Sequence, residues 1–239
     1  IIHLAGVAHK KFRDKNDFIN VNAKATESLI KICLKNKINR FIFMSSIGVN
    51  GNKSIKPIVE SDLENPKDLY SKSKLVAEKK IIDMFDKNSM NYVIIRCPLV
   101  YGKNAPGNFK LLAKWVKSFI PLPFGSVVKN KRSIISINNL LDFILNVIQN
   151  DKASNNIFFV SDKLALSTAQ IINGMSRNNF FSINIPIPSV LLNLFFQLIR
   201  KNELSTKLLD SFEIDISKSF NILGWTPPFN SKDELRKSV

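Results

Sequence analysis

Arg40-Phe41-Ile42-Phe43-Met44-Ser45-Ser46 decides the fold. An unbroken apolar run that stops at two serines is the pattern of a strand buried on both faces. Upstream, Asp17 to Lys37 carries Phe18, Val21, Ala25, Leu29, Ile32 and Cys33 at helical period, an amphipathic stripe. Ile1 to Leu4 is a short apolar run followed by Ala5-Gly6, a strand and its exit loop. Downstream, Gly51 to Pro66 is rich in Gly, Pro, Asn and Ser and reads as loop. A second long helix is expected from Pro66 to about Asn88, with the proline in its first turn. Tyr92-Val93-Ile94-Ile95-Arg96 is a third strand, stopped by Pro98. Strand, helix, strand, helix, strand at this spacing means right-handed crossovers and a parallel α/β sheet. Beyond Gly102 the pattern changes. Helical stretches at Asn108–Ser118 and Asn138–Asn150 alternate with short strands such as Ile157–Val160, which predicts a smaller lobe packed on the sheet.

Composition narrows the class. Of 239 residues, 45% are hydrophobic and 23% charged, ordinary globular usage that excludes a disordered tail, a collagen-like fibre and a coiled coil. Two distant cysteines, Cys33 and Cys97, exclude a disulfide scaffold and a four-cysteine zinc site, so no metal is expected. A reducing, cytoplasmic setting fits them. No apolar run reaches the ~18–20 residues a membrane span needs. The richest, Val190 to Ile199, is broken by Asn193 and Gln197. The formal net charge is +16, but the lysines are scattered and not interleaved with aromatics. We read this as compositional drift with some attraction for phosphates, not as a nucleic-acid site. Position 1 is Ile within a strand already in progress, with no signal peptide before it, so the chain is expected to be a fragment.

Tyr70-Ser71-Lys72-Ser73-Lys74 carries the chemistry. Tyr70 and Lys74, four residues apart on a helix, share one face. A free tyrosine titrates near ~10. An ammonium beside it favours the phenolate and makes it a usable base. Ser46 ends a parallel strand at its C-terminal end, where open α/β sheets place their ligands, and its hydroxyl could hold a substrate oxygen there. A Tyr-x-x-x-Lys spacing alone is weak; a strand ending in Ser-Ser upstream of it makes it specific.

With these residues the chain resembles the extended short-chain dehydrogenases/reductases, the NAD-dependent epimerase/dehydratase family. The likeness runs through His3-Leu4-Ala5-Gly6, Asn22 with Ala25-Thr26, Arg40 to Ser46 and Tyr70/Lys74. It continues through Arg96-Cys97-Pro98-Leu99-Val100-Tyr101-Gly102 and Leu223-Gly224-Trp225-Thr226-Pro227. It implies a Rossmann-type doubly wound parallel sheet, with residues 1–102 as part of a dinucleotide-binding domain. Residues 103–239 are then mainly a substrate lobe, with some return to the sheet edge. It implies NAD or NADP as cofactor and Ser46, Tyr70 and Lys74 as catalytic residues. Ala5 and Gly6 would line the adenine–ribose side of the cofactor. Asn22 and Ser45 would touch it or brace its loop, Tyr70 and Lys74 would hold the nicotinamide ribose, and Pro98 would approach the nicotinamide. In the lobe, Asn108, at the opening of a helix, and Arg132 match the groups that meet a nucleotide-sugar diphosphate. The family's opening strand, glycine-rich turn and ribose-reading residue have no counterpart in this sequence. The resemblance therefore implies an N-terminally truncated sheet with an apolar edge, and leaves NAD against NADP open.

The residues after Ser46 sort the reactions. Family members that dehydrate or decarboxylate carry carboxylates there, where this chain has Ile47 and Gly48. Members that epimerise at two carbons use a cysteine and a histidine nearby, where Met44 and Ile47 offer neither. What remains is hydride transfer at one carbinol or ketone, by a 4-epimerase or a 4-ketoreductase. The resemblance implies that it acts at C4 of a UDP-hexose or UDP-N-acetylhexosamine, in the manner of UDP-glucose 4-epimerase or of a UDP-4-keto-6-deoxy-HexNAc 4-reductase. Ile47-Gly48-Val49-Asn50-Gly51, with Asn50 departing from the usual tyrosine, resembles a subgroup of bacterial polysaccharide pathways. The other readings are an inactive RNA-binding member, a truncated, non-functional product, and a steroid or flavonoid dehydrogenase of the same fold, against which Arg132 and Asn108 speak because an apolar substrate would not need them. A UDP-sugar is the expected partner, nucleic acid is not, and a homodimer is left open.

Overall fold

The computed structural model describes residues 1–8, 15–88, 90–118, 120–176 and 183–239. The first half runs β1 (Ile2–His3), α1 (Lys15–Ile19), a π-helical turn (Asn20–Lys24), α2 (Ala25–Lys35), β2 (Arg40–Ser46), a 3-10 turn (Ile47–Val49), α3 (Leu69–Asp86) and β3 (Asn91–Cys97). Next come β4 (Leu99–Tyr101), α4 (Gly107–Lys117), β5 (Ile134–Ser136), α5 (Ile137–Gln149) and β6 (Asn156–Phe159). Among the described residues, the chain closes on five helices: α6 (Thr168–Ser176), α7 (Ser189–Leu198), α8 (Asn202–Leu209), α9 (Ser217–Leu223) and α10 (Ser231–Lys237).

Four parallel strands form the main sheet in the order β1-β2-β3-β6. Because side chains alternate along a strand, the register Ile42↔Val93 and Phe43↔Ile94 sorts the core into two layers. Phe41, Phe43 and Ile94 pack with Ile30, Ala77 and Ile81 of α2 and α3 on one face. Ile42, Val93 and Ile95 pack with Leu140, Phe143 and Val147 of α5 on the other. Helices on both faces of a parallel sheet make the Rossmann-type arrangement that the sequence predicts. At the β1 edge Ile1, Ile2 and Leu4 are exposed, the apolar edge anticipated there.

Two helix boundaries differ from the sequence reading. α3 starts at Leu69 rather than near Pro66, because the Asp68 carboxylate accepts a hydrogen bond from the Ser71 backbone N–H at 2.7 Å and caps the helix there. The upstream helix is not uniform, since Ala25 N–H reaches Asn20 O across a π turn, and Asn22 within that turn is buried.

Buried Pro98 separates β3 from β4 and passes the chain from the main sheet to a small one in which β4 and β5 pair in parallel. Around the small sheet, Asp162 accepts hydrogen bonds from the Tyr101 hydroxyl (2.6 Å), the Ser136 N–H (3.0 Å) and the Asn139 amide (2.7 Å). Near the C-terminus Gly224 ends α9 with φ +65, the left-handed conformation glycine adopts without a Cβ clash. That turn sends Trp225 edge-on to Phe143, centroids 4.8 Å apart, with its indole N–H on Asp142 at 2.7 Å.

Phe143 is fully buried between Phe158 and Trp225. Phe143→Ala is expected to destabilise the fold by about 3–5 kcal/mol, read from urea unfolding at unchanged slope. A loss below about 1 kcal/mol would mean that this ring does not hold α5 to the sheet.

Candidate active site

β2 ends at Ser46, whose hydroxyl accepts a hydrogen bond from the Gly48 N–H at 3.1 Å and starts the 3-10 turn. Gly48 brings that turn against the first turn of α3: a Cβ at Gly48 would lie 2.3 Å from Ser71 Oγ and 3.3 Å from Ser46 Oγ. The strand end that carries Ser46 and the helix start that carries Tyr70 are therefore neighbours.

Along α3 the inward face repeats every four residues. Lys74 is buried, and its ammonium donates to the Met44 carbonyl of β2 at 2.8 Å. Its Nζ lies 4.6 Å from the centre of the Phe43 ring and 5.9 Å from that of Tyr70. Burial lowers Lys74 to about 8, against the attraction of Cys97 and Glu78. Burial raises the Tyr70 phenol above its ordinary value, and Cys97 and Asp68 add to this. The sequence reading expected Lys74 to favour the phenolate. In the fold the cost of desolvating each charge dominates, so both groups shift toward their neutral forms.

The loop after β1 meets this helix. Asn22 accepts from the Val7 N–H at 2.7 Å and donates to Val7 O and to Ser73 Oγ, each at 2.9 Å. Ser73 Oγ in turn donates to Tyr70 O at 2.7 Å. A side chain at Gly6 would start 3.1 Å from Asn22 Oδ1 and 3.2 Å from Lys74 Nζ. Glycine thus leaves open space in front of the buried ammonium. His3, buried beneath, has Nε2 2.9 Å from Thr26 Oγ1 and stacks on Phe43. Burial and Lys74 hold its imidazole below the ordinary histidine value.

One turn beyond Lys74, Glu78 is buried and forms an ion pair with buried Arg96 of β3. Arg96 Nη2 reaches Oε2 at 2.6 Å, and Nε lies 3.1 Å from each carboxylate oxygen. Ser45 donates its hydroxyl to the same carboxylate. The rest of the Arg96 fork goes to Asn50 Oδ1 at 3.0 Å and Glu64 Oε1 at 3.3 Å. The sequence reading missed Glu78 and this use of Asn50. Its available signal was the Tyr70, Lys74, Glu78 spacing, one face of one helix.

The remaining expected site residues are spread out. Ala5 is exposed on the loop after β1, and Pro98 is buried between β3 and β4. Asn108 is exposed in the first turn of α4. Arg132 bridges to Leu166 and Phe212, and its Nη1 donates to Thr206 O (3.3 Å) and Asp210 O (3.0 Å) at the end of α8. Burial lowers Arg132 to about 10, opposed by Asp210, so it keeps its charge at neutral pH. Among the described residues, no hydrogen bond or ion pair joins Asn108 or Arg132 to the Ser46–Tyr70–Lys74 group.

Residues 1–160 match the model of the NAD dependent epimerase/dehydratase family. The chain belongs to that family. It is 37% identical over 246 residues to UDP-glucose 4-epimerase of Vibrio cholerae, covering 100% of this chain and 75% of the relative. Among solved structures it is similar to UDP-glucuronic acid 4-epimerase from Bacillus cereus in complex with NAD. That match has a TM-score of 0.80 at 21% identity and covers 99% of this chain and 72% of the other. It superposes equally well on RMD from Pseudomonas aeruginosa complexed with NADPH, with a TM-score of 0.80 at 18% identity, covering 99% and 79%. At these identities the solved structures establish the fold.

The Arg96–Glu78 pair makes a stability prediction. Glu78→Ala leaves a buried guanidinium without its main counter-ion and is expected to cost about 3–5 kcal/mol in urea unfolding. Glu78→Leu combined with Arg96→Met should recover part of that loss. If the double variant is no more stable than Glu78→Ala, the buried charge is not the cause.

Proposed function

We propose that this chain carries the catalytic centre of a UDP-sugar 4-epimerase that uses NAD or NADP. The observation that carries the reading is the convergence of the Ser46 turn, Tyr70 and buried Lys74 at the C-terminal end of β2. The Vibrio cholerae relative supports the sugar-nucleotide class. Ile47 and Gly48 support chemistry at a single carbon, since neither can move a second proton.

The residues present fit a dinucleotide. Gly6 leaves its gap in front of Lys74 and Asn22, and Lys74, with three N–H donors, spends one on Met44. When bound, the nicotinamide supplies the hydride acceptor and donor for C4. Gly6, Asn22 and Lys74 would hold the cofactor's ribose side, with Ala5, Ser45 and Pro98 as bracing positions. Tyr70 takes the proton from the C4 hydroxyl and later returns it. Ser46 donates a hydrogen bond to the same oxygen and fixes it beside the phenol. Lys74 holds a positive charge close to Tyr70 and acts against the burial that, in this structure, still keeps the phenol protonated. Asn108 and Arg132 would meet the diphosphate from the lobe. Among the described residues only Nη1 of the Arg132 guanidinium is hydrogen-bonded, to the end of α8, and Nε and Nη2 would be the donors for that purpose.

The direct test incubates the protein and cofactor with UDP-glucose and with UDP-N-acetylglucosamine and follows the C4 epimer by NMR. Appearance of the galacto isomer is expected. Turnover only of a UDP-4-keto sugar would assign a reductase instead. Turnover of neither would end the reading. Tyr70→Phe should lower the rate by ~10²–10⁴-fold with nucleotide-sugar affinity largely kept, and Ser46→Ala should cost less. Wild-type turnover in Tyr70→Phe would remove Tyr70 from the chemistry.

The Lys74 value sets a pH dependence. Lys74 is charged below about 8 and neutral above it. A rate that needs its charge should therefore fall as pH rises through that value. In Lys74→Arg the alkaline limb should move upward. An unmoved limb would assign it to another group.

A further inference from the structure

We infer that α4 and α7 dock on an anionic lipid bilayer surface through their outward apolar residues. On α7 only Leu192 and Phe196, one turn apart, face the core. Val190, Leu191, Leu194, Phe195 and Leu198 stand exposed, Phe195 at 55% and Leu198 at 83%. The helix runs out into exposed Arg200 and Lys201. On α4, Phe109 and Val116 face the core while Leu111 and Trp115, one turn apart, are exposed. Lys110, Lys114 and Lys117 flank them, exposed and joined to no carboxylate among the described residues. Both helices are rooted in one hydrophobic cluster, through Phe109 and Val116 on one side and Leu192 and Phe196 on the other.

The sequence sharpens the charge pattern. Residues 103–130 contain five lysines and no acidic residue, and residues 183–201 contain Arg200 and Lys201 and no acidic residue. Elsewhere the chain mixes signs, as in the Glu27 pairs with Lys31 and Lys80.

Exposed apolar side chains grouped on the outward sides of two helices mark an interaction site. A second copy of the chain fits poorly, because its border would bring lysines against lysines between molecules of net charge +16. RNA fits poorly, because Trp115 and Phe195 are the two rings among the exposed apolar residues of α4 and α7, too few for bases to stack along. An anionic bilayer matches both halves of the pattern. Leu, Phe and Trp side chains enter the boundary between headgroups and acyl chains, and the lysines meet the lipid phosphates. The contact lies on the surface and needs no spanning segment. No described helix is long and apolar enough to be one.

The test is co-flotation of the intact protein with vesicles of phosphatidylglycerol and phosphatidylcholine, against vesicles of phosphatidylcholine alone. Binding to the anionic vesicles, falling as salt is raised, is expected. Each of Lys110→Gln, Lys114→Gln and Lys117→Gln should weaken binding about fivefold. Leu194→Asp with Phe195→Ser should abolish it at an unchanged circular dichroism spectrum. Since all five positions are exposed, the lysine series remains informative even if the double variant misfolds. Equal binding to neutral vesicles, or none to anionic ones at low salt, would overturn the proposal. So would a concentration-dependent dimer, or RNA binding, that the double variant removes while vesicle binding is absent.

Discussion

The Arg96–Glu78 pair holds the three elements of the site together. Arg96 comes from β3, Glu78 from α3, and Ser45, which shares the carboxylate, from β2. An ion pair excluded from water tolerates little misalignment, because each unpaired donor or oxygen carries its full desolvation cost. The pair therefore sets both the rotation and the depth of α3 against the sheet. Lys74 lies one turn above Glu78 and meets the Met44 carbonyl only at that rotation. Tyr70 lies one turn higher still, beside the loop that follows Ser46. Asn50 and Glu64, on the other side of the guanidinium, tie the loop between β2 and α3 to the same point.

Much of this was legible in the sequence, and the limits have physical causes. β2 and β3 could be read because a strand buried on both faces needs an unbroken apolar run, and Phe41 to Met44 and Tyr92 to Ile95 provide one. Helix α3 could be read from its period, but its start could not, since proline and aspartate both favour the first turn and only the geometry at Asp68 decides between them. The π turn at Asn20–Lys24 has no local signature, because it is stabilised by burying Asn22 against Val7 and Ser73, one of them 51 residues away. The Tyr70 value went the other way from expectation for a related reason. Spacing along a helix reports a neighbouring charge but not the loss of water around both groups.

Arg132 shows the same boundary between pattern and environment. Its residue type and its place before an apolar run suggest a free fork awaiting a phosphate. The fold ties one of its amino groups to the final carbonyls of α8, where a cation also complements the helix dipole. The guanidinium is thus a strut between the segment before β5 and the end of α8, whatever else it contacts. Glu60 is a comparable case on the main sheet. Its carboxylate, raised by burial, accepts the Phe159 N–H at 2.8 Å and closes a backbone donor on β6.

Cys97 ends β3 within the same electrostatic neighbourhood as Lys74. Burial pushes its thiol up to about 11 even though the Lys74 charge pulls it down, and its Sγ leans on the Ser45 carbonyl at 3.5 Å. At neutral pH only roughly 10⁻⁴ of such a thiol is thiolate, the form that reacts with peroxides, disulfides and alkylating agents. The thiol at the end of β3 is therefore a poor nucleophile beside the candidate site, and its S–H serves the Ser45 carbonyl instead.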